Sequence, residues 1–230
     1  MKVSDPAYFA LKRLHSLTGV VPIGLFLVEH LYTNSRSLQG AGAFDRAVTD
    51  LAQLPFVVPI EALGIWLPIL FHMVLGVLIA TTAQANAGRH GYARNWHYTL
   101  QRGTGLLLVV YIVWHTFQTR FSGAYLHAAD PYAYVARSLA NPWVLAFYAL
   151  GIVSACYHFG NGLFGFAIHW GLATGRNAQR LAGRLAMAVF AALAVAGLAA
   201  LLGFRGARLD WLQKPHAFER TTVVYRGAAR

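Results

Sequence analysis

An all-α integral membrane bundle is the fold this sequence predicts, and three observations predict it. Hydrophobic residues make up 57% of the 230 and charged residues only 12%, against about 25% charged in an ordinary globular domain. The apolar residues run in blocks of roughly 18 or more, the length that crosses a bilayer core, rather than in amphipathic stripes. Four histidines, His30, His72, His115 and His158, recur at intervals of 42, 43 and 43 residues, each inside a different apolar block. An ionisable side chain in hydrocarbon is costly without a partner, so each of these is a functional candidate by default.

Five transmembrane helices follow in order. A short polar start, 1–12, carries Asp5-Pro6, which suits a helix entry. The first span runs over about 14–31 (LHSLTGVVPIGLFLVEHL), with Pro22 and Gly24 as interruptions that membrane helices tolerate. A polar, Gly-containing connection, 34–58, has room for a short surface helix. The second span, 59–83, holds His72 near its middle, and an Arg- and Gly-containing loop, 84–95, leads on to the third. The third span, 97–117, carries His115 near its far end. After a connection over 120–141, Pro142 opens the fourth span, 142–171, at the first-turn position that favours proline. The basic stretch TGRNAQRLAGR precedes the fifth span, 185–202. That span is almost all Ala, Leu and Val and has no histidine, so it reads as a packing helix. The five-helix domain thus covers 1–203 and leaves a polar tail, 204–230.

The net charge of +11 would raise nucleic acid as a partner in a soluble chain. Here Lys and Arg lie mostly between and beyond the apolar blocks, where they set topology and touch lipid headgroups, and no nucleic-acid partner is expected. With the N-terminus inside, the inner segments hold nine basic residues (Lys2, Lys12, Arg13, Arg89, Arg94, Arg102, Arg176, Arg180, Arg184) and the outer loops four (Arg36, Arg46, Arg120, Arg137). The tail then lies outside with six more, against the positive-inside rule, but early helices usually dominate. The expectation is a multi-pass protein of the cell inner membrane with a cytoplasmic N-terminus and no cleavable signal peptide. Cys156 is the only cysteine, so there is no intrachain disulfide and no Cys-x-x-Cys-His attachment site; any haem is held non-covalently.

Depth decides which histidines pair. His30 lies about 24 Å from the inner end of the first span at 1.5 Å per residue, and His115 lies equally deep in the third, which runs the same way. His72 and His158 lie roughly 15–18 Å above the inner ends of the second and fourth spans. Two levels result, His30 with His115 towards the outer face and His72 with His158 further in. The simplest partner for two facing imidazoles in a lipid-embedded bundle is a haem iron, which gives two stacked bis-histidine b haems enclosed by four of the five helices. Gly76 and Gly162 each lie four residues after a histidine, on the same helix face, and would give a flat macrocycle clearance. Plain helix packing uses small residues equally well. Arg13, His15, Ser16, His97 and Arg102 lie at the inner interface and could bind haem propionates through charge-assisted hydrogen bonds or serve as interfacial anchors. His169 with Trp170 fits that interface too, while His90, His127 and His216 read as loop or tail residues.

The stretches Arg13-Leu14-His15-Ser16-Leu17-Thr18-Gly19, Glu29-His30-Leu31-Tyr32-Thr33-Asn34 and His158-Phe159-Gly160-Asn161-Gly162 resemble the cytochrome b membrane anchor of succinate dehydrogenase and fumarate reductase, of the single-subunit, five-helix, two-haem type. The resemblance covers about residues 8–203. It implies that His30 and His115 hold the distal haem iron and His72 and His158 the proximal one. It also implies the partners of respiratory complex II: a flavoprotein, an iron–sulfur subunit docked on the cytoplasmic face, and a membrane quinone that receives the electrons, with possible higher-order assembly of the complex. The chain itself has no dinucleotide fingerprint and no cysteine cluster, so any dicarboxylate chemistry belongs to partner subunits. Some fumarate-reducing members carry an acid in the fourth helix; the fourth span here has no Asp or Glu. Glu29 and Glu61, both on the outer side, are the candidate proton donors to an outer quinone site. An electron moving from the inner to the outer side gains about 2.3 kcal/mol per 100 mV, which suits reduction of a low-potential quinone such as menaquinone.

Two other readings stand beside this one. The first is a di-haem cytochrome b of another respiratory complex, serving a hydrogenase, formate or nitrate enzyme. The cytochrome bc type, with two ligands on one helix about four turns apart, does not fit this spacing. The second is a proton-coupled transporter with a histidine relay, which should show repeats or broken helices near the midplane. The residues flanking the four histidines do not repeat.

Overall fold

The computed structural model describes residues 5–82, 88, 91–126 and 128–209. Lys2, Arg89, His90, His127, His216 and the tail from Asp210 onward lie outside the described residues. The elements are α1 (Asp5–Val20), α2 (Pro22–Ser35), a 3-10 turn (Arg36–Gln39), α3 (Ala41–Ala52), α4 (Val57–Glu61), a π-helical turn (Ala62–Trp66), α5 (Leu67–Thr81), α6 (Ala93–Gln118), α7 (Gly123–Leu126), α8 (Pro131–Ser138), α9 (Pro142–His169) and α10 (Arg176–Phe204). Every regular element among the described residues is helical.

Among the described residues, four stretches are long and apolar enough to cross a membrane: Pro6–Gln39, Val57–Thr81, Pro142–His169 and Arg176–Phe204. The chain is a multi-pass membrane protein. The remaining long helix, α6, has 26 residues, but its first half carries His97, Gln101, Arg102 and Thr104. It is therefore long enough to span yet less apolar than the other four. The first crossing is interrupted at one residue. Pro22 has no N–H to give the carbonyl four residues back, so α1 and α2 meet at Val21, which keeps helical dihedrals and accepts the Leu25 N–H at 3.1 Å. The two loop caps follow ordinary chemistry. Asp130 accepts the Ala133 N–H at 2.7 Å ahead of Pro131, and Asn141 accepts the Trp143 N–H at 2.9 Å ahead of Pro142.

Helix α9 is the centre of the bundle, packed against α10, α6 and α1. Its contact with α10 is a close backbone approach: a Cβ on Gly160 would stand 2.8 Å from the Ala186 carbonyl. On its other edge, α10 meets the 3-10 turn, where the Ser37 hydroxyl donates to the Ala200 carbonyl at 2.9 Å. Helix α10, which has no histidine, is thus tied in at both edges. A buried cluster of Phe44, Leu108, Tyr111, Leu139, Tyr148, Leu201 and Phe204 joins α3, α6, α9 and α10 at one end. Connection α3 is held there by its carboxylate, with Asp45 accepting the Tyr132 N–H at 2.8 Å. Burial raises the Asp45 pKa, the Tyr132 N–H opposes that rise, and nearby Asp130 adds to it. Outside, Leu63, Leu67, Leu70, Val74 and Leu78 form one exposed stripe, as expected where lipid is the solvent.

Candidate haem-binding site

The bundle brings the four histidines together in two pairs. On α2 and α6, His30 and His115 have ring centroids 5.8 Å apart at 75°. On α5 and α9, His72 and His158 have centroids 6.1 Å apart at 81°. These are the pairs expected from depth.

At the second pair the ring nitrogens have defined partners. The Nδ1 of His72 lies 3.0 Å from the His15 carbonyl oxygen, and the Nδ1 of His158 lies 3.0 Å from that of Gln101. A ring N–H is the donor to each carbonyl, so Nδ1 carries the proton and Nε2 is the free lone pair. The Thr104 hydroxyl stands 3.3 Å from the same His158 nitrogen. Gln101 also donates from Nε2 to the His158 carbonyl at 3.1 Å and accepts Asn161 Nδ2 at 2.8 Å. A third imidazole belongs to this level: His15 stacks on His72 at 3.9 Å and 14°. At the first pair the surroundings are aromatic. His115 Nδ1 is 3.3 Å from the Tyr148 hydroxyl, and the Tyr111 ring lies parallel to His115 at 5.6 Å.

The candidate propionate ligands divide into orphaned and partnered groups. The Nε atoms of Arg13 and Arg102 and the Nε2 of His15 are buried with no hydrogen-bond partner. The Arg13 guanidinium lies over the Trp170 ring at 4.1 Å, and that of Arg102 over Tyr98 at 3.4 Å. Ser16 is already used, donating to the Arg13 carbonyl at 2.9 Å and accepting Trp170 Nε1 at 3.1 Å. His97 pairs with the Tyr157 hydroxyl at 2.8 Å. The space beside Gly76 is taken by His15, whose Nε2 would lie 3.1 Å from an added Cβ; the nearest side chain to Gly162 is Gln101, at 3.7 Å. Glu29 accepts the Thr33 hydroxyl. Glu61 forms an ion pair with Arg120 at 2.8 Å, five residues beyond His115.

Gln101, Thr104, Tyr148 and Gly105, whose added Cβ would meet the His158 ring, escaped the sequence reading; Asn161 and Gly19, the latter against the His72 ring, entered it only inside the quoted stretches, with no role. One signal was available: Leu-x-x-x-Thr-Gly occurs as Leu14–Gly19 and again as Leu100–Gly105, upstream of His30 and His115.

Residues 85–204 match the family of succinate dehydrogenase/fumarate reductase transmembrane subunits. Over 196 residues the chain is 40% identical to the succinate dehydrogenase cytochrome b558 subunit of Bacillus subtilis (strain 168), a match covering 85% of this chain and 96% of that one. The chain belongs to the succinate dehydrogenase/fumarate reductase transmembrane subunit family.

Proposed function

We propose that this chain is the di-haem cytochrome b anchor of a succinate:quinone oxidoreductase, with α6 as the fifth span and residues 1–203 as the haem domain. The observation that carries the proposal is the pairing of the four imidazoles across the bundle, three of which, His72, His115 and His158, already have Nδ1 in a hydrogen bond and so leave Nε2 for a metal. Imidazole–metal bonds are about 2 Å long, so a metal shared by two rings sets their centroids about 6 Å apart, close to the 5.8 and 6.1 Å separations. Among the described residues no three His, Cys, Asp or Glu side chains converge on a metal site. A two-ligand site suits a metal that brings its own equatorial ligands, which is haem.

His30 and His115 would then hold the distal iron, and His72 and His158 the proximal one. The orphaned donors on Arg13, His15 and Arg102 would meet the carboxylates of the macrocycle. Bound haem b supplies a one-electron carrier inside the bilayer, so two levels offer a path from an iron–sulfur subunit to a quinone. The flavoprotein and iron–sulfur partners would dock at the cytoplasmic face of the inner membrane, where α1 begins and α9 ends. Quinone protonation at the opposite face falls to Glu29 and to Glu61, the latter exchanging its Arg120 partner. Menaquinone is the quinone favoured by the inner-to-outer direction of travel.

A pyridine haemochrome assay on the purified complex tests this, with dithionite-reduced spectra of His30→Ala and His72→Ala alongside. Two b haems per chain, a different one lost in each variant, is the expected result. A folded, assembled chain without haem would overturn the reading.

A further inference from the structure

We propose that Thr18-Gly19 on α1 and Thr104-Gly105 on α6 form twin seats that orient His72 and His158, and that these four are positioning residues for that level alone. The inference rests on the haem reading above.

The two seats have the same construction. The His15 carbonyl accepts the Thr18 hydroxyl at 3.0 Å and stands 3.0 Å from His72 Nδ1. The Gln101 carbonyl stands 3.0 Å from His158 Nδ1 and 3.2 Å from the Thr104 hydroxyl, which it shares with the Leu100 carbonyl at 2.7 Å. In a helix, the residue four positions on lies directly beside such a carbonyl, and its Cβ normally covers the approach. Both times that residue is glycine. A Cβ on Gly19 would stand 2.6 Å from Cε1 and 3.1 Å from Nδ1 of His72. A Cβ on Gly105 would stand 2.9 Å from Cε1 and 3.4 Å from Nδ1 of His158. Each imidazole therefore lies where a side chain would otherwise be, and reaches an oxygen that is closed off in most helices. The other level is built differently: His115 meets a tyrosine hydroxyl, and the close glycine there, Gly151, gives way to the Tyr111 ring.

The chemistry follows from the acceptor. A carbonyl that takes the Nδ1–H fixes the tautomer, leaves the lone pair on Nε2, and raises the basicity of the ring as a metal ligand. The threonine hydroxyl competes for the same oxygen, fully at Thr18 and in part at Thr104, and moderates that effect. Glycine gives access, and threonine sets the strength.

The test uses the membrane-bound complex, with EPR of the oxidised low-spin centres and a redox titration of each haem. The His72 level is identified by the signal missing in His72→Ala. Gly19→Ala and Gly105→Ala are expected to lose or shift that signal and leave the other level unchanged. Gly103→Ala, on the same helix with nothing within 4 Å of the new Cβ, is expected to change neither. Thr18→Val and Thr104→Val, which keep the seats open, are expected to retain both haems and lower the midpoint of the His72 level. Equal changes at both levels, or no change in either the glycine or the threonine variants, would overturn the seats. A wild-type complex without b haem would instead overturn the haem reading, and the seats with it.

Discussion

At the His72 level the imidazoles are surrounded by polar and largely backbone partners: two helix carbonyls, a glutamine, an asparagine, a threonine and a third imidazole. At the His30 level the neighbours are rings. Phe26 lies 5.4 Å from His30, Tyr111 and Tyr148 flank His115, and Trp114 closes on Tyr148 at 5.2 Å. The residue type is the same at both, so on the proposed haem reading what would distinguish them is hydrogen bonding and local dielectric, two of the levers a protein has on a bis-histidine centre. The contrast teaches that one bundle can hold two chemically identical histidine pairs in different ways, one through its backbone and one through a hydroxyl.

The largest expected effect comes from breaking one level at a time. His158→Ala should halve the haem content and leave the redox titration of the other centre in place, and His115→Ala should do the converse; haem counts with potentiometry decide it. If either variant empties both levels, they are not independent. Tyr148→Phe should be milder. It removes the side-chain partner of His115 Nδ1, so both haems stay bound and only the His30-level midpoint moves, upward, because the ring becomes a weaker donor. Asn161→Ala takes the partner from Gln101 at the other level. Its expected cost is ~0.6 kcal/mol, the average for hydrogen bonds between membrane helices, read as a small drop in thermal stability of the complex. Smallest is Asp45→Asn, in the connecting helix α3. The Asp45 pKa is raised on folding, so its carboxylate costs stability once pH climbs above its unfolded value, and the cost is complete above its folded value. The amide keeps an acceptor for the Tyr132 N–H without the charge. A slight gain in melting temperature at neutral pH, vanishing in acid, with both haem spectra unchanged, is the expected outcome.

The two levels were not equally legible beforehand. A histidine inside an apolar block announces itself, and counting residues from the block ends is enough to sort four of them by depth. Helix α9 was legible to its first residue, because Asn141-Pro142 is a start signal that needs no tertiary context. The first span was legible in place but not in extent: expected over 14–31, it is helical from Asp5 to Ser35 apart from Val21. Pro22 was visible as its interruption. What stayed hidden were the acceptors. A backbone carbonyl is the same atom group in every residue, so the oxygens of His15 and Gln101 have no signature of their own. Only the threonine and glycine that frame them do, and such residues are common enough to pass for packing. His15 was noticed as an interfacial histidine, yet its stacking on His72 follows from the approach of α1 to α5, which no local pattern encodes.

The aliphatic stripe on α5 has a consequence for how the protein comes to exist. Leu67, Leu70, Val74 and Leu78 are each more than half exposed, and Leu75 is the one buried residue of α5. Folding leaves that apolar stripe uncovered, so water is never a solvent in which the finished bundle can wait. The chain has to enter the bilayer as it is made. Any water-soluble subunit that joins it must therefore arrive second, at a platform already laid down in the membrane.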